Sequence, residues 1–525
     1  MIFDIIIKNA TIYNGENISP YIADVGIVGE KIAKIGKIDN EANIIIDATN
    51  KILTPGFIDA HSHGDQAVFG DPFAKNQLQQ GITTEITGQC GNTAFPNNGY
   101  IDPFIYAMLK YKTKEEVQKI VEKQKTFKDY IEYLQKIPIA TNIISQVGHG
   151  AIREFVMGSR PDKPKEKELE QMKELLVEAM ENGALGISTG LIYAPGFYST
   201  TEELIELVKV VTKYGGRYSS HIRSESNNVI EATAEAIKIG EESGCQVILS
   251  HHKANGKKNW GKSVETLKLV DDAVGRGVDI WLDQYPYNAG ATKLVAIIPN
   301  EYNKEGLEAI LKNLQYSKYR KELKKFIEAD NSSTEILLHS ANGWDGVILA
   351  TNGKTIEEIA KEQNKDPYDI FFDIIIETKG SAMAIYKCMQ DDDIERIMKY
   401  PRTTFGTDAT HSSFINPFGH PRAFGSFPTI LKKYTLEKKI LTIQEAIYKS
   451  TGLTAKIARL KDRGLVKENY FADLNIIDLN KLKVNSSYSK PNGGNEGFNY
   501  VFVNGKIVVE NDKVNNVLNG KILKK

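Results

Sequence analysis

The chain has 525 residues, 41% hydrophobic and 25% charged, and its 66 Lys and Arg against 67 Asp and Glu leave a formal charge of −1. That composition is ordinary for a globular protein and excludes global disorder. A charge this close to zero gives no footprint for nucleic acid or an anionic membrane surface, both of which call for clustered positive charge, so the expected partner is a small-molecule substrate.

The N-terminal MIFDIIIKNATIYNG sets Asp4 and Lys8 around three consecutive Ile, which is not a basic segment followed by a long apolar one, so no signal peptide is expected. No stretch approaches the roughly 18 uncharged apolar residues that cross a bilayer, which predicts no membrane span and a soluble, cytoplasmic protein. Oligomeric state is not legible; a chain of this length can function alone. Residues 1–54 alternate short β-rich pieces, at 4–8, 23–28, 32–35 and 44–47, with Asn, Gly and Asp turns, the pattern of a small β-unit.

From Thr54 the pattern becomes β-strand followed by amphipathic helix, repeated, as in a parallel sheet with crossover helices. Eight strands are read: GFIDAH near 56, TTEITG near 83, NIISQVG near 142, ALGIST near 184, RYSSH near 217, QVILSH near 246, VDIWLDQY near 278 and TTFGTD near 403. Eight parallel strands imply an α/β fold of the closed (β/α)8 TIM-barrel type over 55–461. Helices at 165–181 and 263–274 carry apolar residues at three- and four-residue spacing and belong to its outer ring. The interval before the eighth strand is too long for one helix and one loop, so an insertion at roughly 290–350, including TEILLHS at 334–340, is expected over the mouth. At 462–525 short strands return, with Asn504-Gly505 and Asn511-Asp512 suited to tight hairpins. The two β-rich ends are expected to pair into one small β-sandwich-like domain.

His61-Ser62-His63 closes the first strand, and residues i and i+2 of a strand face the same side, so both imidazoles can aim at one point. His221 ends the fifth strand, His251 the sixth and Asp408 the eighth, at the end where such barrels build their active sites. Cys90, in GQCGN after the second strand, adds a thiolate, a good zinc ligand able to bridge two ions. Together these predict a metal site of His61, His63, Cys90, His221, His251 and Asp408. Cys245 and Cys388 lie away from the mouth and are expected to pack in the core, without disulfides. His252 competes with its neighbour His251, although adjacent strand residues face opposite ways.

TPGFIDAHSHGD, TTEITGQCGN, STGLIYAPGFYS, SHIRSE, SHHK, DQYPYNAG, FGTDA, HPRAFGSFP and LKDRGLVKENYFADLNIID together resemble the amidohydrolase superfamily and, within it, the N-acyl-D-amino-acid deacylase (D-aminoacylase) family. The resemblance implies Zn2+ as cofactor, held tightly by Cys90, His221 and His251, with a second, weaker position at His61, His63, Cys90 and Asp408. It implies hydrolysis of N-acyl-D-amino acids to a carboxylate and a free D-amino acid, with a metal-activated water and Asp408 as general base and acid. It also favours His251 over His252. Lys253 then shares the face of His251 and is read as a cation for the substrate carboxylate, or else as a lysine snorkelling at a strand end. Tyr193, Arg223 and Tyr285 match positions that line the substrate pocket, with Tyr287 an alternative to Tyr285. His149 could stand behind the ligands, whereas His339, His411 and His420 receive no role.

The chain departs from the family pattern at Thr410-His411 and at Thr429, where a basic residue is expected. Two rivals remain. A hydantoinase or dihydroorotase-like cyclic-amide hydrolase usually bridges two metals through a carboxylated lysine on the fourth strand, and ALGIST has none. A non-catalytic scaffold is opposed by the complete ligand set.

Overall fold

The structure, a computed structural model, describes residues 2–99, 109, 112–330, 335–412 and 419–525. All eight segments expected as parallel strands form strands that pair in parallel. Phe57–Asp59, Ile82–Thr87 and Asn142–Ser145 make one sheet, and Val147–Gly148, Gly186–Gly190, Arg217–His221, Gln246–Leu249, Ile280–Gln284 and Thr403–Phe405 make a second, in chain order. Asn142–Ser145 and Val147–Gly148 are one stretch of chain interrupted at Gln146, whose side chain is occupied by Arg217, Ser219 and Gln89. At the other edge the Ala60 N–H donates to the Phe405 carbonyl at 3.0 Å and the Asp408 N–H to the His61 carbonyl at 2.8 Å. The fold is thus a mixed α/β arrangement around parallel strands.

The helices follow their apolar periodicity. Glu166–Glu181 buries Met172, Leu176, Ala179 and Met180, and Ser263–Gly275 buries Thr266, Leu267, Val270 and Ala273, at the three- and four-residue steps that keep one face inward. They pack on strands whose residues are buried throughout, as sheets covered on both faces require.

The chain ends share one nine-stranded sheet. Lys513–Val514, Lys506–Glu510, Phe498–Val503, Leu474–Ile477, Ile52–Pro55, Phe3–Ile12, Tyr21–Val28 and Lys31–Gly36 lie in that order, with Ala42–Asp47 also on Phe3–Ile12. Ile52–Pro55, absent from the expected strands, is the link: it pairs antiparallel with Leu474–Ile477 and leads within two residues into Phe57–Asp59. Asn504-Gly505 and Asn511-Asp512 are two-residue turns with positive φ at both positions, as the mirror-image hairpin turn requires.

The added segment before the eighth strand runs on past 350. Gly290–Lys293 and Val347–Leu349 both pair antiparallel with Met383–Tyr386, and helices Leu307–Asn313, Ser317–Glu328, Ile356–Gln363 and Pro367–Glu377 surround them. Of the TEILLHS piece, Thr334 lies outside the described residues, and Leu337–Ser340 is a short helix. Among the described residues no helix is long and apolar enough to cross a membrane.

Candidate metal centre

Three of the expected ligands lie in the left-handed backbone region: Cys90 at φ 53°, His251 at 36° and Asp408 at 49°. Non-glycine residues held there cost of order 1–3 kcal/mol and gather at functional sites, where the surroundings over-determine them. At Cys90 the neighbours explain the bend. Gly88 and Gly91 also have positive φ, and a Cβ on them would come within 2.2 Å of the Gln146 carbonyl oxygen and 2.7 Å of the Gly190 nitrogen. Only glycine on both sides lets this turn press against the third and fourth strands.

The six side chains expected to bind metal converge. Cys90 Sγ lies 3.4 Å from His61 Nε2 and 3.2 Å from His251 Nε2. Asp408 Oδ1 lies 3.6 Å from His61 Nε2 and 3.1 Å from His63 Nε2. The ligand atoms of His61, Cys90, His251 and Asp408, all buried, lie within 4.8 Å of one another, and so do those of His221, Glu225 and His251. The first grouping holds three members of the weaker position that the resemblance implies, His61, Cys90 and Asp408, with His251 added; in the second, His221 and His251 stand with Glu225 where the resemblance has Cys90.

The donor set fits a metal. His221 is buried, and neither of its ring nitrogens has a hydrogen-bond partner, an arrangement that costs free energy unless something else binds there. Two or more imidazoles with a thiolate and a carboxylate suit zinc. His252 turns away, its Nε2 2.8 Å from Thr266 Oγ1, and burial together with Lys253 pushes it down to about 4.

Charge is concentrated. Burial works against ionising the Cys90 thiol, but His251 and His61 outweigh it and hold Cys90 well below the usual thiol range. Burial likewise opposes the Asp408 charge, and Arg422, then His251, overcome it, so Asp408 is ionised at neutral pH. Arg422 Nη1 donates to Asp408 Oδ2 at 2.7 Å and Nη2 to the Ala291 carbonyl at 3.2 Å.

The pocket residues have unequal places. The Lys253 ammonium lies 2.6 Å from both Glu225 Oε1 and His251 Nδ1. Tyr285 is buried beside both cations, with the Arg422 guanidinium 4.8 Å and Lys253 Nζ 5.7 Å from its ring centre. Tyr287 instead places its hydroxyl 3.1 Å from Thr429, which gives that threonine a packing partner. The Tyr193 ring lies 5.2 Å from that of His221, and its hydroxyl 3.0 Å from Thr292 Oγ1. Arg223 is spent elsewhere, on both oxygens of Glu235 and the carbonyls of Phe197 and Ser199.

His149 bonds Glu203 beside Arg153. His420 faces the Ala289 carbonyl, and His339 the Ile327 carbonyl. Cys245 and Cys388 are buried in the two large apolar cores, where burial pushes their thiols up to about 11 and about 12.

Sequence reasoning missed Asp283, Glu225 and Arg422. Asp283 lies at the end of the seventh strand, where the rule that selected His221 and His251 would have found it. Glu225 is four residues beyond His221. Arg422 offered only its motif, because 14 positions separate it from Asp408.

A model of the amidohydrolase family matches residues 45–509. D-aminoacylase of Alcaligenes xylosoxydans xylosoxydans is 30% identical over 524 residues, 99% of this chain and 97% of that protein. The chain belongs to the amidohydrolase family, in its D-aminoacylase branch. A solved structure of D-aminoacylase, described with a binuclear metal centre, superposes on this amidohydrolase with a TM-score of 0.83 at 30% identity over the whole of both chains. N-acyl-D-glutamate deacylase of Bordetella bronchiseptica, solved with zinc and a phosphonate that mimics the tetrahedral intermediate, gives 0.83 at 27%, again over both whole chains.

Proposed function

We propose that the protein is a zinc-dependent N-acyl-D-amino-acid deacylase, hydrolysing a linear amide to a carboxylate and a free D-amino acid. The observation that carries this reading is the buried convergence of His61, Cys90, His251 and Asp408, with the ring nitrogens of His221 making no hydrogen bond beside it, in a chain alike over 96–99% of its length to D-aminoacylase and two N-acyl-D-amino-acid deacylases. Zinc there would be held by Cys90, His221 and His251, with His61, His63 and Asp408 completing a second position. Closure of the eight parallel strands into a barrel, at 55–461, is part of the same reading, supported by the bonds between Ala60 and Phe405 and between Asp408 and His61. The shared sheet of 1–54 and 462–525 supports a separate small domain.

When bound, zinc polarises a carbonyl and lowers the pKa of water to about 7. The chain supplies the rest. Asp408, ionised and steadied at one oxygen by Arg422, has its other oxygen turned to His61 and His63, placed to take the proton of the attacking water and return it to the leaving amine. Lys253 and Arg422 are the cations beside Tyr285, and Lys253 is assigned the substrate carboxylate. Tyr193 and Tyr285 flank that space. Arg223, tied to Glu235 and to the loop that follows Tyr193, braces the loop in place of binding substrate.

A cyclic-amide hydrolase is disfavoured because the fourth strand, Gly186–Gly190, carries no lysine. Matched N-acetyl-D- and N-acetyl-L-amino acids, incubated with zinc-loaded protein and assayed for free amine, test the reading. Release from the D series alone is expected; equal rates, or an L preference, would remove the deacylase assignment.

A further inference from the structure

We propose that Asp283 is a positioning residue, a single carboxylate on the seventh parallel strand that sets the tautomer of His61 and holds the backbone of His251, so that ligands from the first and sixth strands face one point. The inference rests on the reading of the cluster as a metal site. The Asp283 side chain is buried, with Oδ1 at 3.2 Å and Oδ2 at 3.3 Å from His61 Nδ1. Oδ1 also accepts the His251 N–H at 2.6 Å, and the Asp283 carbonyl accepts the His252 N–H at 2.9 Å.

An ionised carboxylate can only accept, so the His61 nitrogen that bonds it must carry the hydrogen. That leaves Nε2, the nitrogen facing Cys90 and Asp408, as the one that gives up its proton and donates its lone pair when a metal binds. A metal binds only an unprotonated imidazole nitrogen, and the partner of the other nitrogen decides which one is free. His251 needs help of a different kind. Its φ of 36° is strained for a β-carbon-bearing residue, and the bond from its own N–H to Asp283 is the local tie that holds it. Both tasks use the same carboxylate, which links the His61 side of the site to the His221 and His251 side.

Asp283→Asn separates this role from mere filling of space. Asparagine has nearly the same shape but offers one acceptor and one donor. If its oxygen keeps the His251 N–H, its NH2 faces His61 Nδ1 and drives the hydrogen to Nε2, away from the tautomer that binds metal. If it turns the other way, the His251 N–H loses its acceptor. One of the two ligands is misplaced in either case.

Wild-type and Asp283→Asn proteins are dialysed against graded zinc buffers, bound zinc per chain is measured, and kcat, KM and the melting temperature of the metal-free chains are compared. The expected result is melting within a few degrees of wild type, zinc affinity lowered about 10- to 100-fold, and kcat lowered with KM unchanged. Zinc affinity within twofold of wild type would overturn the proposal. Should the variant fail to fold, the imidazole 15N shifts of His61 in zinc-loaded wild type, assigned with His61→Gln, decide the matter: a protonated Nδ1 with metal-bound Nε2 upholds the proposal, and the reverse refutes it. A wild-type chain that takes up no zinc sinks the metal reading, and this inference with it.

Discussion

Asp408 is asked to do two things, and one substitution separates them. Its carboxylate lies in the buried cluster with His61, Cys90 and His251, and the proposed reading also assigns it the proton. Asp408→Asn keeps the shape and the Arg422 contact but cannot accept the proton, so zinc content should remain near wild type while kcat falls by at least 10²-fold, the low end of what positioned acid–base groups contribute. Activity within a few-fold of wild type, with zinc retained, would assign the proton to another group. Lys253 makes a second test at this scale. Lys253→Met should raise KM more than it lowers kcat if the ammonium meets the substrate carboxylate. An unchanged KM would pass that task to Arg422, since Arg223 is committed to Glu235. The converging side chains were legible as metal-binding residue types at or just beyond strand ends, although at Cys90, His251 and Asp408 a left-handed backbone, not strand alternation, sets the direction. Arg422 was not, because it reaches Asp408 from the first residue of the helix Arg422–Thr429, and no periodicity connects a helix start to a strand end 14 positions away. Asp283 was within reach of the strand-end rule, but that rule gives only its position, and only the folded chain shows it bonded to His61 and His251.

At the scale of elements, His411 and Glu85 bind the loop after the eighth strand to the second strand. His411 Nε2 lies 3.0 Å from Glu85 Oε1, and Glu85 also accepts from Ser62 Oγ at 2.6 Å, between the two histidines of the first strand. Thus the Thr410-His411 departure from the family pattern is a brace under the site. Burial alone would push His411 down, but Glu85 carries it up to about 9, and His411 in turn helps hold Glu85 below its usual range. A raised histidine stabilises fully below its unfolded value near 6.5 and loses that contribution as pH rises through about 9. The melting temperature of wild type should therefore fall between pH 7 and 10, and His411→Gln should flatten that fall. At pH 7, denaturant unfolding should show a loss of about 3–5 kcal/mol, the usual cost of breaking a buried pair by removing one partner. A pH profile unchanged by the substitution would show that the alkaline fall arises elsewhere. The extent of the added segment was misjudged at this same scale: Ile356–Gln363 and Pro367–Glu377 have the periodicity of any crossover helix, and nothing local says that Met383–Tyr386 pairs with Gly290–Lys293.

Across the whole molecule, the two chain ends are tied to the parallel strands by polar groups as well as by backbone. Asn142, on the third parallel strand, donates to Asp473 at 3.2 Å and accepts from Asn504 Nδ2 at 2.9 Å. Arg463 bridges Asp473 and Asn504, and all four residues are buried. The last residues join in: the Ile143 N–H donates to the Lys521 carbonyl and the Gly520 N–H to that of Ile139. A network this buried makes the nine-stranded sheet and the parallel strands one cooperative unit, because each member left unpaired by opening the junction would carry its full desolvation cost. Arg463→Met removes the guanidinium and leaves Asp473 buried with fewer donors. It should lower stability by about 3–5 kcal/mol in denaturant unfolding while the transition remains single, followed alike by tryptophan fluorescence and far-UV circular dichroism. Because Ile52–Pro55 feeds straight into Phe57–Asp59, the strand that leads to His61, zinc should be lost in that same transition. Two separated transitions, with zinc retained through the first, would show instead that the sheet of the chain ends unfolds independently and that the metal centre does not depend on it.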